Sequence, residues 1–201
     1  MTGLREQKRE RTRRQLVDAA DRLFRERGYA ETTVADIAAA AGVSTRTAFT
    51  YFATKDDLLF PDADERVRLA VDALEQRAGD DEPIPALLRA LQGADIAVTD
   101  LIGDRAALRV ALVEREPSVR GHALRRLADA QTAIGDALHR AYPDRYSPVQ
   151  AAALVGAFVG AASAAAAAVA REAEGMTEAQ RHAALTAAVG DALAPWTTER
   201  T

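Results

Sequence analysis

Four side chains in one short segment, Thr45, Arg46, Thr47 and Thr50, have the chemistry needed to read the edges of DNA bases. An arginine can donate two hydrogen bonds at once to O6 and N7 of guanine, and a threonine offers a hydroxyl and a methyl that can contact thymine. None of these side chains is bulky enough to keep a helix away from the bases. We therefore expect this segment to enter the major groove, although an exposed arginine taken alone is also compatible with a solvated surface position.

The residues around this segment predict two short helices that meet at a glycine, over residues 33–52. Thr33 is a favourable N-cap, and Asp36 can satisfy the backbone N–H of that cap in return. Gly42 supplies the backbone freedom that ends the first helix, and Ser44 is placed to cap the second. This layout is that of a helix-turn-helix. A plain helical hairpin, in which the glycine and the arginine are structural, is the alternative.

Apolar spacing predicts which faces of the two helices point inward. The first helix has one apolar face at helical spacing, formed by Val34, Ile37, Ala38 and Ala41. On the second helix Ala48 and Phe52 lie four residues apart and can face the same way. The threonines and Arg46 are then left on the outward face.

Residues 12–59 resemble the DNA-binding domain of TetR-type transcriptional repressors. The segment LVDAADRLFRERGY, which ends in Gly28 and Tyr29, is similar to the first helix of that family. The segment YFATKDDLL is similar to its Tyr-Phe pair and the Lys-led start of its fourth helix. The resemblance implies an all-α fold of about nine helices, with a three-helix DNA-binding domain followed by a helical ligand-binding and dimerisation domain.

The resemblance also implies a role for each matching residue. Phosphate contacts fall on Thr33, Thr45, Tyr51 and Lys55, and the residues nearest the bases are Arg46, Thr47 and Thr50; Ser44 completes this DNA-binding set. The family usually has a tyrosine where this chain has Phe49, so that hydroxyl contact is lost. Phe49 is left to pack, or to touch a sugar or a thymine methyl. The segment STRTAFTYF is also similar to a branch whose C-terminal domain is thought to bind acyl-CoA-like ligands.

The charge of the chain is uneven along its length. The 201 residues have a formal net charge of −4, which argues against a generally basic coat that binds nucleic acid. The first 14 residues nevertheless hold six basic side chains against Glu6 and Glu10; they are Arg5, Lys8, Arg9, Arg11, Arg13 and Arg14. Such an arm adds salt-sensitive affinity for DNA. We expect it to be disordered through about Arg9 in the free protein.

The sequence suggests two domains, residues 1–59 and residues 60–201. The chain has no cysteine, and its charged N-terminus lacks the apolar core of a signal peptide, so we expect a cytoplasmic protein. Residues 146–170 carry no charge and are long enough to span a bilayer. They consist mostly of alanine and glycine, which insert poorly, so a helix buried by other helices is the preferred interpretation.

Helix signals continue through the second domain. Thr54 to Asp57 resembles a capping box, and Pro61 either ends the helix that it opens or kinks it. Residues 78–85 form the clearest linker. Three helical stripes of apolar residues follow, consisting of Leu87, Leu88 and Leu91, of Leu108, Ala111 and Leu112, and of Leu124, Leu127, Ile134 and Leu138.

Strong start and stop signals frame the last two helices. Ser147, Pro148 and Gln150 supply an N-cap, a proline at the first position and a capping-box glutamine. Gly175 is expected to end that helix. Thr177 and Gln180 open the final one, which carries Leu185, Val189 and Leu193.

A homodimer is expected because a single helix-turn-helix contacts few bases, whereas a twofold pair reads two half-sites one turn apart. Gly156 and Gly160 form a small-xxx-small pair that permits close helix contact. Together with Leu185 and Val189 they are the predicted dimer interface, and packing within one chain is the alternative.

No pattern indicates catalysis, a cofactor or a metal. His122, His139 and His182 lie far apart and have no cysteine partners. The two glycines of AAALVGAFVGAASA lack the strand and the third glycine of a dinucleotide fingerprint. We therefore expect a protein that is not an enzyme and needs no cofactor.

The function predicted from the sequence is a homodimeric regulator that binds a palindromic operator in double-stranded DNA and is released by a small apolar or amphipathic ligand. The resemblance implies this induction and a possible acyl-CoA-like inducer. The polar candidates for the ligand site are Arg109, His122, Arg125 and His139. An all-helical interaction or adaptor protein without DNA binding is the alternative, and a membrane-anchored regulator is a third hypothesis.

Overall fold

The computed structural model describes residues 2–76, 82–93 and 101–196. Within these ranges the chain forms nine α-helices and two short 3-10 helices, and no strand. The α-helices are α1 Thr2–Arg27, α2 Val34–Ala40, α3 Thr45–Tyr51, α4 Ala63–Glu75, α5 Pro83–Gly93, α6 Asp104–Arg115, α7 Pro117–Ala141, α8 Pro148–Arg171 and α9 Glu178–Leu193. The all-α fold class predicted from the sequence is confirmed.

The chain divides into two compact units, residues 1–61 and residues 62–201. In the first unit α1 packs against α2 and against the 3-10 helix Asp56–Leu59, and α2 packs against α3. Its core contains the buried side chains Leu16, Ala20, Leu23, Phe24, Ile37, Ala48, Phe52 and Leu58. These residues recur at helical spacing, because only one stripe of each short helix can reach the shared interior.

The N-terminal arm is helical, which corrects the expectation of disorder through Arg9. Helix α1 begins at Thr2 and continues without a break into the core segment that starts at Leu16. The arm is rich in good helix formers. An ion pair one turn apart, from Arg14 Nε to Glu10 Oε1 at 3.0 Å, adds to the stability of the helix. Helix propensity and continuity with a packed helix therefore outweigh the fraying expected of a charged terminus.

The predicted capping box at Thr54 is present, but the helix that it opens is short. The Thr54 N–H donates to Asp57 Oδ2 at 2.8 Å, and the Asp57 N–H donates to Thr54 Oγ1 at 3.2 Å. The segment is a 3-10 helix that ends before Pro61, and α4 begins two residues later. Of the two alternatives for Pro61, the structure therefore has the one in which it separates two helices.

The second unit has one hydrophobic core, to which α4, α5, α7, α8 and α9 contribute. Helix α8 packs against α6, α7 and α9, and α4 packs against α5 and α7. The core includes Leu74, Leu87, Ile134, Leu138, Val155, Phe158, Leu185 and Val189. Helix α8 is also long and apolar enough to cross a membrane by length and composition alone. A core helix passes the same test, and one face of α8 lies in this core.

Several finer predictions in the second unit need correction. Leu124 is 59% exposed, because it lies at the edge of the stripe that Ile134 and Leu138 define on a long helix. Helix α5 begins at Pro83, inside the predicted linker, and residues 78–81 of that linker lie outside the described residues. The side chain of Leu91 is likewise outside them. Helix α8 ends at Arg171, and Gly175 forms the following turn with φ +79°.

The contrast between Leu185 and Leu124 gives a direct test of the core. Replacing the fully buried Leu185 by alanine is expected to lower the free energy of unfolding by about 2–5 kcal/mol, through lost burial and a residual cavity. Leu124→Ala is the matched control and should change it by no more than about 0.5 kcal/mol. Guanidinium unfolding followed by circular dichroism measures both. Equal effects would contradict the assigned orientation of α7 or α9.

Candidate DNA-binding site

The corner between α2 and α3 is fixed by backbone hydrogen bonds. The Val43 N–H donates to the carbonyl of Ala38 at 2.9 Å, and the Gly42 N–H donates to that of Ala39 at 3.1 Å. Gly42 has φ +70°, a left-handed conformation that costs a residue with a Cβ atom roughly 1–2 kcal/mol. These bonds form a Schellman motif, which satisfies the carbonyls at the end of α2. The glycine turn predicted from the sequence is therefore present, and its hydrogen bonds fix the direction in which α3 leaves the corner.

Both helices of the motif begin with a side-chain cap. Thr33 Oγ1 accepts from the Asp36 N–H at 3.1 Å, and the Thr33 N–H donates to Asp36 Oδ2 at 2.9 Å. Hydrogen bonds from the hydroxyl and then the N–H of Thr33 lower the pKa of Asp36 below its usual value. A depressed pKa means that the box is intact above that value and is lost when Asp36 is protonated at lower pH. At α3, Ser44 Oγ accepts from the Thr47 N–H at 3.0 Å.

Helix α3 separates an inward face from an outward face. Ala48 and Phe52 are buried against the first unit's core, as predicted. The outward side chains are Ser44, Thr45, Arg46, Phe49 and Thr50, all of them exposed. Thr47 is half-buried, and its hydroxyl shares a hydrogen bond of 2.8 Å with that of Ser44. Two turns of helix thus present one guanidinium, one phenyl ring and several small side chains on a single surface.

Arg46 is available for an external acceptor. Within the part of the chain that the structure describes, no ion pair or side-chain hydrogen bond engages its guanidinium. Thr50 Oγ1 donates to the Arg46 carbonyl at 3.1 Å. That bond holds the Thr50 hydroxyl against the helix.

Lys55, to which the resemblance assigned a phosphate contact, makes contacts within the first unit, and its phosphate role stays a prediction. Its ammonium donates to the carbonyls of Tyr29 at 2.8 Å and Thr32 at 3.0 Å, and it lies 4.0 Å from the centroid of the Tyr29 ring. These two hydrogen bonds and the cation–π contact brace the loop between α1 and α2. Thr33 is exposed and Tyr51 half-exposed, so both remain able to reach phosphate.

Sequence reasoning missed the residues that complete this brace. The Tyr29 hydroxyl donates to Asp56 Oδ1, and Thr32 is fully buried with its hydroxyl donating to the Gly28 carbonyl at 2.8 Å. Gly28 has φ +86°, so it ends α1 and turns the chain towards Tyr29. In the sequence, the Gly-Tyr pair was the one sign that this loop has a structural role. Its partners lie 26 or 27 residues away in sequence, so no local pattern could identify them.

The four candidates for a ligand site are spread over the second unit. Arg109 on α6 is only 8% exposed and donates to the Leu101 carbonyl at 3.3 Å. On α7 His122 is half-buried and Arg125 is exposed, whereas His139 Nδ1 is hydrogen-bonded to the Tyr146 carbonyl at 2.8 Å. His122 and His139 are about 25 Å apart along the axis of α7, so they cannot belong to one small site.

No group of three metal-ligating side chains occurs among the residues that the structure describes.

The predicted dimer residues separate into two classes. Gly156 and Gly160 are half-exposed on α8, with open space where a Cβ atom would lie. Leu185 and Val189 are fully buried within the second unit of the single chain, so their assignment to the interface is wrong. Burial against α8 accounts for their helical spacing equally well.

Known DNA-binding regulators are similar in sequence to the part of the chain that contains this site. Residues 16–60 match the family model described as bacterial regulatory proteins, tetR family. The chain is 38% identical over 129 residues to the HTH-type transcriptional regulator TcmR of Streptomyces glaucescens. That alignment covers 62% of this chain and 57% of TcmR, so the chain spans little more than half the length of this relative.

Two solved structures have the same fold over almost the whole chain. The fatty acid degradation regulator FadR of Bacillus halodurans has a TM-score of 0.57 at 18% identity, covering 94% of this chain and 97% of that one. FadR of Thermus thermophilus, a transcriptional repressor solved in complex with lauroyl-CoA, has a TM-score of 0.51 at 21% identity. The similarity covers 94% of this chain and 97% of the Thermus thermophilus chain. At these identities the likeness is one of fold.

The Lys55 brace predicts a loss of stability on substitution. Lys55→Met removes two charge-assisted hydrogen bonds and a cation–π contact, which should lower the free energy of unfolding by about 1–3 kcal/mol. Lys8→Met, on an exposed position of α1, is the matched control and should be neutral. Thermal unfolding measures both variants. Unchanged stability, with a DNA-binding salt slope lower by about one unit, would instead assign Lys55 to a phosphate.

Proposed function

We propose that this chain, whose residues 16–60 match the tetR family model of bacterial regulatory proteins, is a transcriptional regulator that binds double-stranded DNA through α3. The observation that carries the proposal is the outward surface of α3, where Arg46 and small threonines project from a helix held in place by the Gly42 corner. A guanidinium without an internal acceptor suits guanine O6 and N7, and small neighbours allow the helix to lie deep in the groove.

Contacts to phosphates position α3 on the duplex without reading its sequence. Thr33, Ser44, Thr45 and Tyr51 lie at or near the ends of α2 and α3, where they can donate to phosphate oxygens. Basic residues on α1 extend this footprint. Arg5, Lys8 and Arg9 are exposed and lie three and four positions apart, so they form one stripe on the helical arm. Their contribution is electrostatic and depends on salt.

The regulator acts as a homodimer on a palindromic operator. Helix α8 turns one face to the core, and its opposite face carries only small uncharged residues around Gly156 and Gly160, with Val149 79% exposed at its start. Two such faces can approach closely because no side chain holds the backbones apart. A twofold dimer carries two copies of α3, as recognition of two half-sites one helical turn apart requires.

The second unit binds the inducer. Its helices form a separate core, and a small apolar or amphipathic ligand would favour a state in which the two copies of α3 are wrongly spaced for DNA. The lauroyl-CoA in the Thermus thermophilus structure supports an acyl-CoA-like ligand. Arg109 is the best placed of the four polar candidates, because its guanidinium is buried among the helices. The protein acts as a repressor in the cytoplasm, without a metal, a cofactor or a catalytic role.

Selection of bound duplexes from a random DNA pool tests the DNA-binding role. The full-length protein should enrich an inverted repeat whose half-sites contain a guanine. Arg46→Ala should weaken binding to that repeat by about 1–3 kcal/mol and relax the preference for guanine. Arg115→Ala, on an exposed position of α6, is the matched control. If no sequence is enriched, the function is not that of a specific regulator, and the adaptor alternative gains support.

Substitution of Gly160 tests the interface. Gly160→Leu places an isobutyl group where this chain has open space, so the fold should persist while a dimer packed on that face loses about 1–3 kcal/mol. Sedimentation at several concentrations should show dissociation at unchanged helical content, and operator affinity should fall steeply. Ala128→Leu on the exposed face of α7 is the control. A variant that stays dimeric and binds operator normally would place the interface elsewhere.

A further inference from the structure

Phe49 is a large apolar side chain that neither the fold nor the proposed phosphate contacts explain. Its ring is 51% exposed, whereas the other large apolar side chains of α3 and of the segment that follows it lie in the core or at its edge. The phenyl ring has no hydroxyl with which to donate to a phosphate. Contact between this ring and water is unfavourable and does not stabilise the first unit. The exposed position therefore favours an apolar partner outside the chain.

The surroundings of Phe49 identify the chemistry of that partner. Arg46 lies three positions before it and Thr50 directly after it, all exposed on α3. The Thr50 hydroxyl donates to the Arg46 carbonyl at 3.1 Å, so it is held against the helix. The surface therefore consists of a small apolar spot beside a single guanidinium. In the major groove the one apolar group that a base pair presents is the C5-methyl of thymine.

We infer that Phe49 reads the C5-methyl of a thymine in each half-site and so selects thymine over cytosine there. This inference rests on the proposed binding of DNA by α3. Side chains three positions apart on a helix have Cβ atoms about 5–6 Å apart, and successive base pairs are stacked at about 3.4 Å. The thymine read by Phe49 therefore lies within two base pairs of the guanine read by Arg46.

Removal of single methyl groups from the DNA tests the contact without altering the protein. The probe is the inverted-repeat duplex obtained by selection from random DNA, with each thymine of a half-site replaced in turn by deoxyuridine in both half-sites. At one position near the guanine the wild-type protein should bind about fourfold more weakly per half-site, which corresponds to one buried methyl-sized group. At the other thymines the replacement should have little effect.

Substitution of the ring assigns the effect to Phe49. Phe49→Ala should bind the thymine and deoxyuridine duplexes equally at that position, and its own selected motif should accept cytosine there. Phe49→Leu keeps an apolar contact and should retain part of the discrimination. Leu124→Ala, which removes an exposed apolar side chain from the second unit, is the matched control and should discriminate like wild type. Circular dichroism verifies that each variant remains folded.

The possible outcomes distinguish failure of the Phe49 contact from failure of the proposed DNA binding. If a palindrome is selected but no thymine lies near the guanine, or if Phe49→Ala keeps the full sensitivity to deoxyuridine, the ring does not read a methyl group. It then packs on a sugar or on another protein surface, and the proposed regulator stands. If no specific DNA is selected at all, both proposals fall together.

Discussion

The proposed DNA-binding surface depends on the left-handed backbone of Gly42. With φ at +70°, this glycine lets α2 end in two backbone hydrogen bonds and lets Ser44 cap α3 immediately afterwards. A residue with a Cβ atom would be strained at this position, and any relaxation would rotate α3. Because base recognition requires side chains to be placed to within a fraction of an ångström, the direction of α3 is set by the backbone before any side chain reaches a base.

A second set of contacts holds the corner in the first unit. The Lys55 ammonium joins the carbonyls of Tyr29 and Thr32, and the Tyr29 hydroxyl joins Asp56. These bonds connect the loop before α2 with the segment after α3. The motif is therefore supported at both ends, so Arg46, Phe49 and Thr50 project from an element that packing and hydrogen bonds hold in one orientation. Lys55, to which the resemblance assigned a phosphate contact, braces this loop from within the first unit.

In the second unit, side-chain size distinguishes the face that packs inside the chain from the face that is open. Helix α8 directs Leu154, Val155 and Phe158 into the core, while Gly156 and Gly160 face open space. Large residues fill the interior because burial of apolar area stabilises the chain. Small residues on the opposite face contribute little to that core, but they allow a second helix to approach closely, which is why this face is the proposed site of dimerisation.

Features that depend on local chemistry could be predicted from the sequence. Caps at Thr33, Ser44, Ser147 and Thr177, the glycine corner, and the inward positions of Ala48 and Phe52 all follow from patterns a few residues long. Tertiary structure alone decided whether an apolar stripe faces its own chain or a partner, because helical spacing is the same in both cases. It placed Leu185 and Val189 in the core and left Leu124 exposed. It also turned Lys55 inward, since the carbonyls that receive its ammonium lie more than 20 residues away, beyond the reach of any local pattern.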